Sequence, residues 1–332
     1  MTVTIGRREL LAALGGTAAA WPLAARAQQP AMPVIGFVTG RSPDDATRYG
    51  PPFRQGLGES GFMDGQIVTV EYHWLDGHYE RAPPLIADLI SRRVAVIVTA
   101  GSTPVSLAAK AATATTPIVF GVGDDPVQLG LVTGFARPQG NATGVQLPFV
   151  AVTAKRLGLL HDMVPRAARI AVLVNPGNPQ LSDQALRDIS EAARALGLQI
   201  QVMKAATSRE IEDAFEALAR EPADALFVFP DAFFASRRVQ FVILATRYAI
   251  PAAYPDRAFA EVGGLMSYGS DVAAMFRQTG VYAGRILKGA KPAELPVIQS
   301  SKFELVINLV AARALRLTVP GDLLSSADEV IE

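Results

Sequence analysis

The sequence predicts an α/β protein of two lobes, each a doubly wound parallel sheet, joined by a three-segment hinge. Three observations carry this. The strand candidates, such as VAVIVT at 94–99 and PIVFGV at 117–122, are unbroken apolar runs, so they belong in sheets covered on both faces. Strands alternate with helices along the chain, which demands right-handed crossovers and parallel pairing. The chain, at 332 residues, is too long for one ordinary core, and the alternation begins afresh near residue 154.

The first lobe opens with a buried strand at 34–38, closed by Thr39-Gly40-Arg41-Ser42-Pro43. An amphipathic helix at 48–60 carries Phe53 and Leu57 on one face and stops at Gly61. A strand at 67–74 ends at Leu75-Asp76-Gly77, and a helix at 79–92 holds Pro83 and Pro84 in its first turn, where proline is tolerated. Strand 94–99, an Ala-rich helix and strand 117–122 then form a βαβ unit whose strand ends are Gly101-Ser102-Thr103 and Gly123-Asp124-Asp125-Pro126. Residues 127–135 read as helix, and the turn-rich segment Arg137 to Gly144 reads as the first crossing between lobes.

The second lobe repeats the plan, with helices at 154–163, 181–196, 208–219 and 236–248 and strands at 169–174, 199–204, 225–229 and 251–254. Gly197 stops one of these helices, and an acid falls in the first turn of the helix at 208. Thr116-Pro117 and Ile250-Pro251 each open the fourth strand of their lobe, an echo of topology. Residues 261–269 read as the return crossing, 272–287 as a helix packing on the first lobe, and 289–296 as a third linker. The expected division is 33–143 plus 270–292 for lobe 1 and 146–265 plus 297–332 for lobe 2.

Composition narrows the function. Basic and acidic residues balance at 31 each, which points to no nucleic-acid partner. There is no cysteine, so disulfides, thiolate metal sites and cysteine nucleophiles are excluded. Three histidines, His73, His78 and His161, are few for acid–base catalysis. Residues 1–27 carry Arg7-Arg8, an apolar run and Ala25-Arg26-Ala27, the layout of a secretory signal cleaved after Ala27. Gly15-Gly16, Pro22 and Arg26 leave that run short of the roughly 20 apolar residues of a membrane span. The arginine pair resembles a twin-arginine signal, although Glu9 departs from it, and the export route stays open.

The catalytic and phosphate-binding motifs fail on inspection. Gly121-Val122-Gly123-Asp124-Asp125-Pro126 puts proline where a dinucleotide fingerprint needs glycine, and no stretch fits a P-loop. Neither Gly58-Glu59-Ser60-Gly61 nor Ser267-Tyr268-Gly269 makes a nucleophile elbow. No enzyme, cofactor or metal site is expected.

In order along the chain, RRELLAALGG with WPLAARAQQP, VIGFVTGRSPDD, FRQGLGESGF, PIVFGVGDDPVQLGLV with RPQGNATGV, AVLVNPGNP, GGLMSYGS, and GRILKGAKPAELPV with KFELVINL run over nearly the whole length. In this the sequence resembles ABC-transporter substrate-binding proteins of the periplasmic-binding-protein type 1 fold, related to members that bind tryptophan and other aromatic amino acids. The resemblance implies an exported protein that captures a small solute between its lobes and delivers it to an inner-membrane permease; a periplasmic monomer is expected. Family members often carry a branched or aromatic apolar residue followed by Gly-Gly where this chain has Ala100-Gly101 and then Ser102.

Ligands of open α/β sheets bind at the carboxyl ends of strands, and the candidate residues follow. Gly101, Ser102 and Thr103 open a helix and suit a carboxylate through N–H groups and hydroxyls; ordinary capping is the alternative. Asp124 or, across the cleft, Asp231 could pair with an ammonium, against a reading as turn formers. Phe233 with Phe234, Tyr254, Tyr268 and Trp74 could flank a ligand side chain or belong to the core. Asn175 with Asn178 could donate to ligand or shape a turn, and Arg41 could hold an anion or stay solvated. The expected solute is an amino acid or another small carboxylate, aromatic ones included. A ligand-sensing receptor subunit and a hydrolase on the same architecture are the rival readings.

Overall fold

The computed structural model describes residues 32–149 and 151–332; the export signal read on 1–27 lies outside them. The chain runs β1 (Val34–Thr39), α1 (Ala46–Glu59), β2 (Thr69–Trp74), α2 (Ala82–Ser91), β3 (Val96–Ala100), α3 (Thr103–Ala112), β4 (Ile118–Val122) and β5 (Ala142–Gln146). It then forms α4 (Thr153–Met163), β6 (Arg169–Val174), α5 (Pro179–Ala195), β7 (Gln199–Lys204), α6 (Ser208–Arg220), β8 (Ala225–Val228), α7 (Ala232–Ser236) and α8 (Arg238–Arg247). β9 (Ala252–Tyr254), α9 (Arg257–Glu261), β10 (Met266–Ser270), α10 (Val272–Leu287), β11 (Ile298–Gln299), β12 (Phe303–Asn308), α11 (Leu309–Ala314), α12 (Gly321–Ser326) and β13 (Glu329–Ile331) follow.

Two sheets result. The first has the order β11-β5-β4-β3-β1-β2 and is parallel throughout. The second has the order β13-β12-β10-β9-β8-β6-β7, parallel except where β12 runs against β10. The apolar runs are explained by their two faces. Val96, Val98 and Ala100 pack with Phe53 and Phe276, while Ile97 packs on the opposite side with Leu89 and Val105. Likewise Ile170, Val172 and Val174 face one layer of the second lobe and Ala171 and Leu173 the other.

Helix ends follow from local chemistry. Gly61 (φ 81°) and Gly197 (φ 70°) take the left-handed turn after α1 and α5. Thr207 and Glu210 form a reciprocal capping box on α6. α10 crosses back to the first lobe and lies close on α1, where Gly56 and Gly280 let the backbones meet. A Cβ at Gly56 would stand 1.8 Å from Arg277 O and one at Gly280 2.2 Å from Phe53 O.

Several expected boundaries move. Residues 127–135 make turns rather than a helix, with Gly130 at φ 70° and Leu131 N bonded back to Pro126 O. The segment read as the first crossing ends in β5, which is buried and hydrogen-bonded beside β4, so the crossing follows β5. The stretch read as the return crossing is the end of α9 and strand β10, and the chain leaves the second sheet only between β10 and α10. The third linker is also part of the first lobe: Leu295 is buried, its carbonyl accepts from Thr143 Oγ1 at 2.7 Å, and β11 adds to the first sheet. The third crossing therefore joins β11 to β12, later than the division at 292/297.

Candidate ligand-binding site

A cavity with about 560 Å³ of space between atoms, part of it open to solvent, lies where the strand ends of the two sheets face each other. Sheet order sets its two ends. The ends of β3, β1 and β2 bring Ser102, Thr103, Arg41 and Tyr79 to one side, and the ends of β4 and β5 bring Val122, Leu147 and Phe149 to the other. From the second lobe come Asn178 after β6, Pro230, Asp231, Ala232 and Ala235 after β8, and Pro255 and Asp256 after β9. Val272 and Met275 of α10 form the wall beside the hinge.

At the first end, donors gather. Ser102 occupies the N-cap position of α3 with extended backbone, yet its side chain makes no capping bond, and Ser102 Oγ is buried without a partner. The N–H groups of Thr103 and Val105 have no acceptor inside the helix, and Pro104 between them carries none. Arg41 lies beside them, its guanidinium 4.4 Å from the Tyr49 ring centroid. Its Nη1 is 3.5 Å from Asp45 and its Nη2 3.5 Å from Asp256, while Nε is buried without a partner. Burial pulls the Arg41 pKa down, but Tyr49, Asp45 and Asp256 outweigh it and leave the value above that of a free arginine. Arg41 stays charged.

Two carboxylates face these donors from the second lobe. Asp231 caps α7 through Phe233 N at 3.0 Å, and takes Asn175 Nδ2 at 2.9 Å on the same oxygen. Its other oxygen accepts Tyr79 Oη at 3.0 Å and Asn178 Nδ2 at 3.3 Å. Burial raises the Asp231 pKa; Asn175, Asn178 and Tyr79 oppose that shift without cancelling it. Asp256 caps α9 through Ala258 N at 3.0 Å and accepts Tyr49 Oη at 3.0 Å. The lining thus holds one guanidinium and two carboxylates, a helix start and a free hydroxyl. Such walls complement a zwitterion, with its anion at α3 and its cation toward Asp231 and Asp256.

The expected residues divide clearly. Arg41, Gly101, Ser102, Thr103 and Asp231 line the cavity together. Asp124 stands one step behind, accepting from Thr103 Oγ1 at 2.8 Å, with its pKa raised by burial. It faces an outer groove with Gln146 and Asp183. Asn175 also stands behind, holding Asp231 and accepting from Gly177 N at 2.8 Å. Trp74, Phe233, Tyr254 and Tyr268 do not reach the cavity, and the reason is packing. Trp74 belongs to the aromatic cluster of Phe37 and Tyr72, Phe233 to the core under Arg237, Tyr254 stacks on Phe259 at 4.5 Å, and Tyr268 on Phe303.

Tyr79, Val122, Leu147, Phe149, Asp256, Val272 and Met275 also line the cavity and were not among the expected residues. Asp256 had a signal: β8 and β9 are each followed by Pro-Asp and a short helix, at Pro230-Asp231 and Pro255-Asp256. Tyr79 had none, since only the sheet order brings it opposite Asp231.

The lobes are tied across the cleft. Asp45 accepts from Arg238 Nη1 at 2.6 Å, Ser42 N donates to Ser236 Oγ at 2.8 Å, and Arg237 Nη2 meets Asp76 at 2.8 Å. Arg48 binds Glu261 through two bonds of 2.5 and 3.1 Å. This is a closed form. Among the described residues, no helix is long and apolar enough to cross a membrane.

Fold and cleft define a two-lobed, solute-binding type of protein. Residues 32–331 match the family described as ABC transporter substrate binding protein, and the chain belongs to that family. It is 25% identical over 265 residues to a "Tyrosine-binding protein" of Clostridioides difficile, covering 79% of this chain and 75% of that one. Among solved structures it resembles the ABC domain of Streptococcus pneumonia in complex with L-Trp, at 26% identity and TM-score 0.80, covering 90% of this chain and 99% of that one. It also resembles a conserved domain protein of Vibrio cholerae, at 24% identity and TM-score 0.81 over the same shares. Against the ligand-free, open structure of a Clostridium difficile substrate binding protein the TM-score is 0.61 at 24% identity.

Proposed function

We propose that this protein is exported, captures an α-amino acid as its zwitterion in the inter-lobe cavity, and delivers it as a monomer to an inner-membrane permease. The observation that carries the reading is the pairing of the α3 N-terminus, Ser102 Oγ and Arg41 Nε on one lobe with Asp231 and Asp256 on the other. The ligand carboxylate takes the free donors, and its ammonium faces the carboxylates. Each lobe holds one end, so the ligand favours the closed state over the open one. The tyrosine and tryptophan named for the relatives supports an amino acid.

A thermal-shift screen of the purified protein against amino acids, aromatic acids lacking an amine, sugars and nucleosides tests this. A tight ligand raises the melting temperature by mass action. The expected result is a saturable shift with amino acids and none with the corresponding acids lacking the amine. A shift confined to sugars or nucleosides would contradict it. Cell fractionation tests export: the processed protein is expected in the periplasm, and retention of the full-length chain in the cytoplasm would refute that part.

A further inference from the structure

The hinge end of the cavity carries Val122, Leu147, Phe149, Val272 and Met275. None of these five side chains offers a hydrogen-bond donor or a strong acceptor. Of the polar side chains of the lining, Arg41, Tyr79, Ser102, Asn178, Asp231 and Asp256 follow strands other than β4 and β5, and most are committed to the charged cluster, while Thr103 lies nearest β4 with its hydroxyl given to Asp124. Asn178 donates to Asp231. Glycines shape the same end. A Cβ at Gly121 would lie 2.3 Å from Met275 Sδ, and one at Gly123 2.9 Å from the Phe149 ring. Phe149 thus packs on the β4 strand end at Gly123, the residue that borders both the cavity and the polar outer groove.

We infer that the site selects amino acids whose side chains are apolar to the tip, with Val122, Leu147, Phe149, Val272 and Met275 as the specificity-determining residues. This rests on the amino-acid reading above. With carboxylate and ammonium held at the β3 side, the side chain has one direction left, toward the hinge. A phenol hydroxyl or indole N–H placed there gives up its water and finds no side-chain partner. Met275, unbranched and polarisable, adapts to aliphatic and aromatic tips alike, so shape discriminates less than polarity.

Isothermal titration of the purified protein with matched pairs decides it: L-phenylalanine against L-tyrosine, L-valine against L-threonine and L-leucine against L-asparagine. The apolar member of each pair is expected to bind about 10- to 100-fold more tightly, the discrimination a single polar group brings in an apolar pocket. Val272→Thr, which places a hydroxyl at the apolar end, is expected to narrow the phenylalanine-to-tyrosine ratio at least threefold. Tyrosine binding as tightly as phenylalanine would overturn the selectivity and leave the amino-acid reading standing. An unchanged ratio in Val272→Thr would overturn the placement of the side chain against Val272. Binding of no amino acid would overturn both readings.

Discussion

Tyr79 of the first lobe donates its hydroxyl to Asp231 of the second at 3.0 Å, directly across the cleft. The bond joins the closed state to the residue that caps α7 and lines the cavity. Desolvation raises the Tyr79 pKa well above that of a free tyrosine, with the Asp231 charge and hydrogen bond adding to the shift. The phenol therefore stays protonated and able to donate.

Tyr79→Phe removes that donor and leaves the ring in place. Ligand affinity is expected to fall about tenfold, the lower end of what a hydrogen bond to a charged group contributes. Titration calorimetry of the variant measures it, and unchanged affinity would remove Tyr79 from the closing mechanism.

Ser102→Ala separates a ligand contact from a structural one. Ser102 Oγ makes no hydrogen bond in the protein, so the ligand-free melting temperature is expected to hold or rise, while affinity drops about tenfold. A hydroxyl acting only as a cap would give the reverse: lower stability and intact affinity.

Acid should loosen closure through Glu261. Its carboxyl is held at about 2, below the ordinary 4.5, first by the Arg48 hydrogen bond and then, against some burial, by Arg257. A lowered carboxyl pKa contributes stability above pH 4.5 that is lost as pH falls toward 2. Arg48 and Glu261 sit on different lobes and both are partly exposed, so the pair contributes under about 1 kcal/mol. Glu261→Gln is expected to weaken ligand binding less than about fivefold at neutral pH, and to flatten the decline in affinity between pH 5 and 3. A full-size decline in the variant would place the acid sensitivity elsewhere.

The helix contact between α1 and α10 predicts opposite effects from two neighbouring glycines. Gly280→Ala puts a methyl group against Phe53 O and is expected to cost about 1–3 kcal/mol by overpacking. Gly58→Ala meets nothing within 4 Å and is expected to stabilise α1 by about 0.5–1 kcal/mol. Thermal denaturation checks both; equal effects would contradict the close packing.

Arg156 is fully buried, with its guanidinium 4.4 Å from the Phe227 ring centroid and Nη1 3.4 Å from Tyr268 O. Burial lowers its pKa to about 9, because no carboxylate approaches it among the described residues. Arg156→Met fills similar space without the charge and is expected to raise stability by about 1–3 kcal/mol. A large loss would mean that the guanidinium holds the hinge-side carbonyl of Tyr268 in place.

The strands were legible because each one carries its own signal, a compact apolar run bounded by turn residues. The crossings were not. Residues 137–144 read as loop because they are dense in turn formers such as Asn141 and Gly144, yet Thr143 spends its hydroxyl on Leu295 and Gly144 lets Phe120 O come within 2.0 Å of where a Cβ would stand. That pairing is a long-range fact. The same holds in the site. Ser102 and Asp231 announce themselves at strand ends, whereas Tyr254 ends a strand and points into the core against Phe259. A strand end marks the right edge of the sheet but does not say which face a side chain takes.

The most direct measurement is a crystal structure of the protein grown with L-phenylalanine. The carboxylate is expected within hydrogen-bond distance of Ser102 Oγ and Arg41 Nε, the ammonium toward Asp231 and Asp256, and the ring against Phe149 and Met275. A ligand bound in the reverse orientation, or outside this cavity, would contradict the zwitterion reading at its root.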